Sequence, residues 1–293
     1  MGVGRDTVPD VSRLRRLLPA VLLALLALPL PAAGAQEPAK TETAAAGAVS
    51  ATFTYRDVGH GQWKDLRLQI TRGGAPAYDG VPGGEACKAP YCAPDTFRGS
   101  PALKVADIDG DGEPEVLVDL FTGGAHCCVL AQVLRWDGTA YATTQRDFAD
   151  FGYTLQPAAA PGAPAIFATG DARFAYAFAS FADSAFPVRL LTLTAGVWKD
   201  VTGAHPDALQ ADATRWMKRY RQRRNGKVSL GMLAAWAADE YRLGHATKVK
   251  AFLATELRAG RLQGDRYWPR GKAFVTTLER RLRVWGYAAG AKA

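Results

Sequence analysis

The chain has 293 residues, 48% of them apolar and 22% charged, with four Cys and a formal net charge of +8. That length admits one large domain or two modest ones. No long hydrophobic run occurs after Leu30, which excludes a chain built from membrane spans, and no base-reading motif accompanies the positive charge, so nucleic acid is not an expected partner.

The amino terminus carries Arg13, Arg15 and Arg16, an apolar run from Leu17 to Leu30, and then Ala33-Gly34-Ala35. This pattern predicts a signal peptide over residues 1–35 with cleavage after Ala35, and hence a secreted or extracytoplasmic protein. Arg15-Arg16 also fits twin-arginine export. The apolar run is short for a membrane span, and no Cys follows it to carry a lipid anchor. Residues 36–49, with Pro38 and a run of Ala, Thr and Glu, read as a disordered leader.

Charge then divides the chain. Gln36 to Ala204 holds 13 Lys+Arg against 19 Asp+Glu, whereas His205 to Ala293 holds 19 against 7. The expected fold class is α+β, a β domain over residues 50–204 followed by a basic helical domain over 205–293. Between Ser50 and Thr202, short β-rich runs are broken by Gly, Pro and Asp. Three passages echo one another as hairpins: Leu68 to Gly74, Val133 to Gly138 and Leu191 to Gly196, each ahead of an aromatic, Tyr78, Tyr141 and Trp198. Such recurrence predicts a repeat architecture.

Inside this region, Asp107-Ile108-Asp109-Gly110-Asp111-Gly112-Glu113-Pro114-Glu115 sets carboxylates at positions 1, 3, 5 and 9 of a glycine-bent loop. Ca2+ takes six to eight oxygen ligands at about 2.3–2.6 Å, and alternate side chains converge on one ion when the backbone curls. Gly110 and Gly112 permit the curl. Without a cation the clustered acids repel one another. An EF-hand loop would require a bidentate Glu at position 12, which here is Val118. Val116 to Phe121 is instead rich in β-formers and predicts a strand.

Over residues 104–128 the loop and its strand resemble the FG-GAP (VCBS-type, integrin-α-like) repeat. The resemblance implies a structural Ca2+ at the edge of a β-propeller blade, held by the side chains of Asp107, Asp109, Asp111 and Glu115 with the Glu113 carbonyl as a fifth ligand. Glu115 stands where the family usually has Asp. Gly112 to Val118 also lines up with Gly162 to Ala168, a copy without acids, so residues 150–202 are expected to be a sister unit that keeps the strands and binds no ion. Roughly three units fall short of the four blades a closed propeller needs. The expected β domain is therefore blade-like and propeller-related but incomplete, with the helices available to cover an edge.

Cys87 and Cys92 lie in a Gly/Pro-rich loop, and Cys127-Cys128 follow the predicted strand. Export favours bonded over free thiols. Neighbours on a strand point to opposite faces, so cross-bonds from Cys127 and Cys128 to the 87/92 loop are preferred over a ring between the two. His126 reads as a packed or hydrogen-bonded turn residue rather than a metal ligand.

After Pro206 the apolar spacing becomes helical. A first helix is expected from about Ala208 to Arg224, with Asp207 as N-cap and Asn225-Gly226 as its end. A second carries Leu230, Leu233, Trp236 and Tyr241, a third Val249, Phe252 and Leu257, and a fourth Phe274, Leu278, Leu282 and Trp285. Arg215, Lys218, Arg219 and Arg223 of the first helix are candidate contacts for a polyanion. The function expected is a secreted Ca2+-binding protein acting in adhesion or in cell-envelope interaction, with a protein or anionic envelope polymer as partner. No catalytic constellation is visible. The alternatives are an exported hydrolase of cell-wall glycan, with Asp119 and His126 as proton carriers, or an inhibitor or partner of another exported enzyme.

Overall fold

The computed structural model describes residues 38–88, 90–96, 99–125, 127–223 and 230–288, together with Gly2. The chain divides into Met1–Gln36 and Glu37–Ala293, and every element among the described residues lies in the second unit. The export signal read over residues 1–35 falls, Gly2 apart, outside the described residues, as do His126, Arg224 and Asn225-Gly226.

Three antiparallel sheets follow one another along the chain. The first is the meander β1 (Lys40–Ala46), β2 (Val49–Asp57), β3 (Trp63–Arg72) and β4 (Ala75–Gly80). In the second, β5 (Ala93–Pro94) and β6 (Leu103–Ala106) share one edge of β7 (Glu115–Phe121), which continues into β8 (Val129–Trp136) and β9 (Tyr141–Asp147). The third is β10 (Thr154–Gln156), β11 (Ile166–Gly170), β12 (Val188–Thr194) and β13 (Val197–Asp200). The three passages that echo one another in sequence are the final hairpins of these sheets, β3–β4, β8–β9 and β12–β13.

Two apolar layers join the sheets. Phe53, Leu68 and Ile70 of the first sheet meet Val116, Val118 and Leu120 of β7. On the other face, Leu117 and Val133 meet Phe167, Leu191 and Leu193 of the third sheet. Successive residues of β7 thus serve opposite layers, which is why this strand is a nearly continuous apolar run. Each such side chain, fully buried, contributes about 1.5–3 kcal/mol.

Residues 40–46, read from composition as disordered, instead form β1. Its exposure alternates, as expected of an edge strand with one solvated face. Low hydrophobicity misleads here because pairing of the whole of β1 with β2 orders the backbone, and the Glu42 carboxylate accepts from Tyr55 Oη at 2.7 Å and from the Leu103 amide at 2.9 Å. The cysteine pairing also differs from expectation. Cys87 bonds Cys92 and Cys127 bonds Cys128, so no disulfide staples one loop to the other. The two cysteines are not neighbours on a strand: β8 starts only at Val129, and Cys128 precedes it at φ +110°. Cys87 and Cys92, 5.0 Å apart at Cα, are within ordinary bonding reach, and the Cys92 amide donates to the Lys88 carbonyl at 3.0 Å.

The helical region is α1 (Pro206–Arg223), α2 (Leu230–Arg242), α3 (Ala246–Arg258) and α4 (Gly271–Val284). Pro206 opens α1, where its missing N–H is harmless, and Asp207 lies in the first turn instead of capping it. α2 is buried from Leu230 to Tyr241, an apolar helix inside the bundle, with α1 and α3 against it. Phe174 and Phe178, from the loop before β12, join the bundle core. Asp212 of α1 accepts from the Val188 amide at 2.9 Å, and Arg242 pairs with Asp200 at 3.1 Å, so the bundle is fastened to the third sheet. Among the described residues no helix is long and apolar enough to cross a membrane.

Candidate metal centre

The turns from first to second strand of the three sheets meet in series. Pro114, between β6 and β7, lies beside Gly47, between β1 and β2, and Gly110 lies against the backbone of Gly162 and Ala163, between β10 and β11. The acidic loop therefore occupies the middle of the row. Gly110 and Gly112 adopt φ +83° and +89°, the left-handed turns that let the chain fold back on itself.

This curl brings together Asp107, Asp109 and Glu115, whose ligand oxygens lie within 4.8 Å of one another. Glu115 is fully buried at the start of β7, and Asp109 is only 6% exposed. Glu115 Oε2 accepts from the amides of Ile108 at 2.7 Å and Asp109 at 3.2 Å. Its Oε1 has no hydrogen-bond partner. An unsatisfied buried acceptor costs about 1–3 kcal/mol, and more when charged. Burial pushes the Glu115 carboxyl up to about 7; the amides of Ile108 and Asp109 oppose that shift, and the charges of Asp109 and Asp111 add to it.

The remaining carboxylates are committed differently. Asp107 accepts from the amides of Gly110 at 2.8 Å and Gly112 at 3.1 Å, which fixes the turn. Asp111 turns toward Arg135 of β8, whose guanidinium reaches Asp109 Oδ2 and Asp111 Oδ2, each at 2.9 Å. Asp109 Oδ2 also accepts from the Ala195 amide of the β12–β13 turn at 3.2 Å. Glu113 points out of the cluster and pairs with Arg72 of β3. The structure thus gathers three of the four expected side-chain ligands, Asp107, Asp109 and Glu115, while Asp111 turns to Arg135, which also holds Asp109; the side chain of Glu113, whose carbonyl was the expected fifth ligand, pairs with Arg72.

A set of three carboxylates, two of them buried, with one unpaired oxygen fits a divalent cation. All the donors are hard oxygens, suited to Ca2+ or Mg2+ rather than to softer metals. When bound, such an ion neutralises the charge that burial disfavours and ties the loop to β7.

Arg135 and the Ala195 amide were not recognisable as part of the site from sequence. The former stands in the second of the echoing hairpins, and only the pairing of β8 with β7 carries it to the loop. Asp119, the acid a hydrolase would need, is buried in the middle of β7 with both oxygens held, one by Tyr153 Oη at 2.5 Å and one by Lys104 Nζ at 2.7 Å. Burial raises its carboxyl, against the pull of Lys104. The four candidate polyanion contacts are dispersed in role. Arg215 pairs with Asp212, Arg223 with Asp183, and Arg219 lies over the Trp216 ring at 5.2 Å. Lys218 instead borders a cavity of the bundle.

No protein-family model and no solved structure matches the chain. A stretch of 103 residues, 34% of the chain, is 34% identical to a probable thylakoid lumen protein of Synechocystis sp.. The chain spans about 30% of the length of that curated relative.

Proposed function

We propose that this protein is an exported, FG-GAP-like Ca2+-binding protein in which the ion is structural, and that the sheet ends it rigidifies bind a protein or an anionic envelope polymer. The observation that carries the reading is the buried Glu115 carboxylate with one oxygen unpaired beside Asp107 and Asp109. Calcium accommodates a crowded, irregular set of carboxylates, whereas Mg2+ demands near-ideal octahedral geometry and gives up its water reluctantly. The spacing of the loop and the strand after it supports an FG-GAP-type blade edge over an EF-hand.

Export is supported from two sides. Both cysteine pairs are bonded, a state that persists in oxidising compartments and is rare in the cytosol. The relative from Synechocystis is named for a lumen, in keeping with the export signal read at residues 1–35. The bundle's excess positive charge favours an acidic partner.

Calorimetric melting in EDTA, followed by titration with Ca2+, tests the proposal. The melting temperature is expected to rise with Ca2+ and to respond less to Mg2+, and Asp109→Ala should erase the response. A native protein that melts at one temperature throughout would remove the metal from the account. Capture from an extracytoplasmic fraction, with and without Ca2+, then identifies the partner.

A further inference from the structure

A second feature of the molecule lies away from the acidic loop. A cavity of about 560 Å3 opens between α1, α2 and α3, within the range of about 300–1,000 Å3 usual for small-molecule sites. Its lining comes from helical stripes: Met217, Lys218 and Arg221 of α1, Trp236 of α2, and Lys248 and Phe252 of α3. Residues three and four apart share a helix face, so each helix turns one stripe to the same space.

The floor is aromatic. The Trp236 and Phe252 rings lie 5.0 Å apart at 61°, an edge-to-face pair, and Trp236 is only 2% exposed. Glu240, one turn beyond Trp236, holds the floor in place. Its carboxylate accepts from Trp236 Nε1 at 3.1 Å and lies 2.7 Å from His245 Nδ1 and 2.5 Å from Lys248 Nζ. Those partners satisfy Glu240 within the protein, so it is no acceptor for a cationic guest.

The rim is positive. Lys218, Arg221 and Lys248 stand around it against the one carboxylate of Glu240. Among the described residues Lys218 and Arg221 have no salt-bridge partner, although their neighbours Arg215 and Arg223 on α1 each have one. Like charges three residues apart on a helix repel, and an anion placed between them relieves the repulsion. Of the α1 cations without a carboxylate partner among the described residues, Lys218 and Arg221 stand where an apolar floor opens, while Arg219 lies over the Trp216 ring.

We infer that this cavity binds a small anionic amphiphile, its apolar body on Phe252 and Met217 above the buried Trp236 and its carboxylate or phosphate end against Lys218 and Arg221. An anion without an apolar body leaves the floor wet. An apolar molecule without a charge leaves the two cations unpaired.

Isothermal titration calorimetry of the full chain with decyl phosphate, kept below its micelle concentration, tests this, with tryptophan fluorescence as a second readout. One molecule per chain should bind, at least ten-fold more tightly than decanol or inorganic phosphate, and quench the tryptophan signal. Lys218→Glu combined with Arg221→Glu should weaken decyl phosphate at least ten-fold while leaving the melting temperature unchanged. Thr214→Trp, at an exposed position on the lining, should block the cavity and keep the rim charges. Equal affinity for decanol, equal affinity for inorganic phosphate, or undiminished binding by the charge-reversed variant would each overturn the inference. So would sedimentation with phosphatidylglycerol vesicles by a protein that takes up no free decyl phosphate, since the charges would then serve a membrane surface.

Discussion

Between β6 and β7 the chain reads Gly112-Glu113-Pro114-Glu115, and between β10 and β11 it reads Gly162-Ala163-Pro164-Ala165, in each case leading into the second strand of a sheet. The two turns also touch. The Ala165 amide donates to the Ile108 carbonyl at 2.8 Å, and Gly110 lies so close to Ala163 and Gly162 that a β-carbon there would come within 2.8–2.9 Å of their backbone. Glu115 and Ala165 are both buried, but the first ends among carboxylates and the second in an apolar cluster with Ile108 and Phe167. One turn gathers acids, and the other packs its backbone against Gly110 and carries none. Acids in both, at this separation, would repel with no second cage to hold an ion, because Pro157, Ala159 and Pro161 stand where the first turn has Asp107, Asp109 and Asp111.

The comparison breaks most severely if the lost acid is restored. Ala165→Glu places a carboxylate in the apolar cluster without a partner, and a loss of more than about 3 kcal/mol is expected in urea unfolding, with no rescue by Ca2+. A loss under about 1 kcal/mol would mean that the turns are not equivalent.

The next effect belongs to Glu115. Its carboxyl sits at about 7 in the folded chain against an ordinary 4.5, so the folded state keeps a proton that the unfolded chain has released. Its contribution to ion-free stability is therefore complete below about pH 4.5 and is lost as pH rises through about 7, by about 3 kcal/mol at 1.36 kcal/mol per pH unit. Urea unfolding in EDTA at a series of pH values should show this decline, and Glu115→Gln should remove it. With Ca2+ at about 100 times its dissociation constant the native chain should gain about 2.7 kcal/mol and the Gln variant almost nothing. Ca2+ affinity should itself rise from pH 6 to pH 8, because the ion displaces the proton. Parallel pH curves for native and variant protein would refute the assignment of the proton to Glu115.

The smallest expected effect measures the contact between the turns. Gly110→Ala meets both an unfavourable φ and the opposing backbone, and about 2 kcal/mol should be lost; Gly112→Ala, at a similar φ with nothing within 4 Å, should lose about 1 kcal/mol. Equal losses would show that the contact adds nothing.

Legibility varied with the range of the interactions involved. The gathering of Asp107, Asp109 and Glu115 was readable because the spacing and the glycines lie within nine consecutive residues. The hairpins were readable from their turns, and the helices from the spacing of residues such as Leu230, Leu233 and Trp236. β1 was not, since an Ala- and Thr-rich segment acquires order only through β2 and the bonds of Glu42 to Tyr55 and Leu103. The cysteine pairing is not legible either, because whether Cys127 and Cys128 lie on a strand depends on where β8 begins, and it begins after them.

By itself the sequence determined the division into a β-rich region and a basic four-helix region, the place of the acidic loop, and the loss of acids from its counterpart, all through patterns repeated within a few residues. Tertiary structure alone decided that Arg135 and the Ala195 amide reach the carboxylates, that one oxygen of Glu115 is left unpaired, and that Lys218 stands over an aromatic cavity while Arg215 and Arg223 turn to internal acids. The physical reason is that burial and charge pairing depend on which distant segments come into contact, and local spacing carries no record of that.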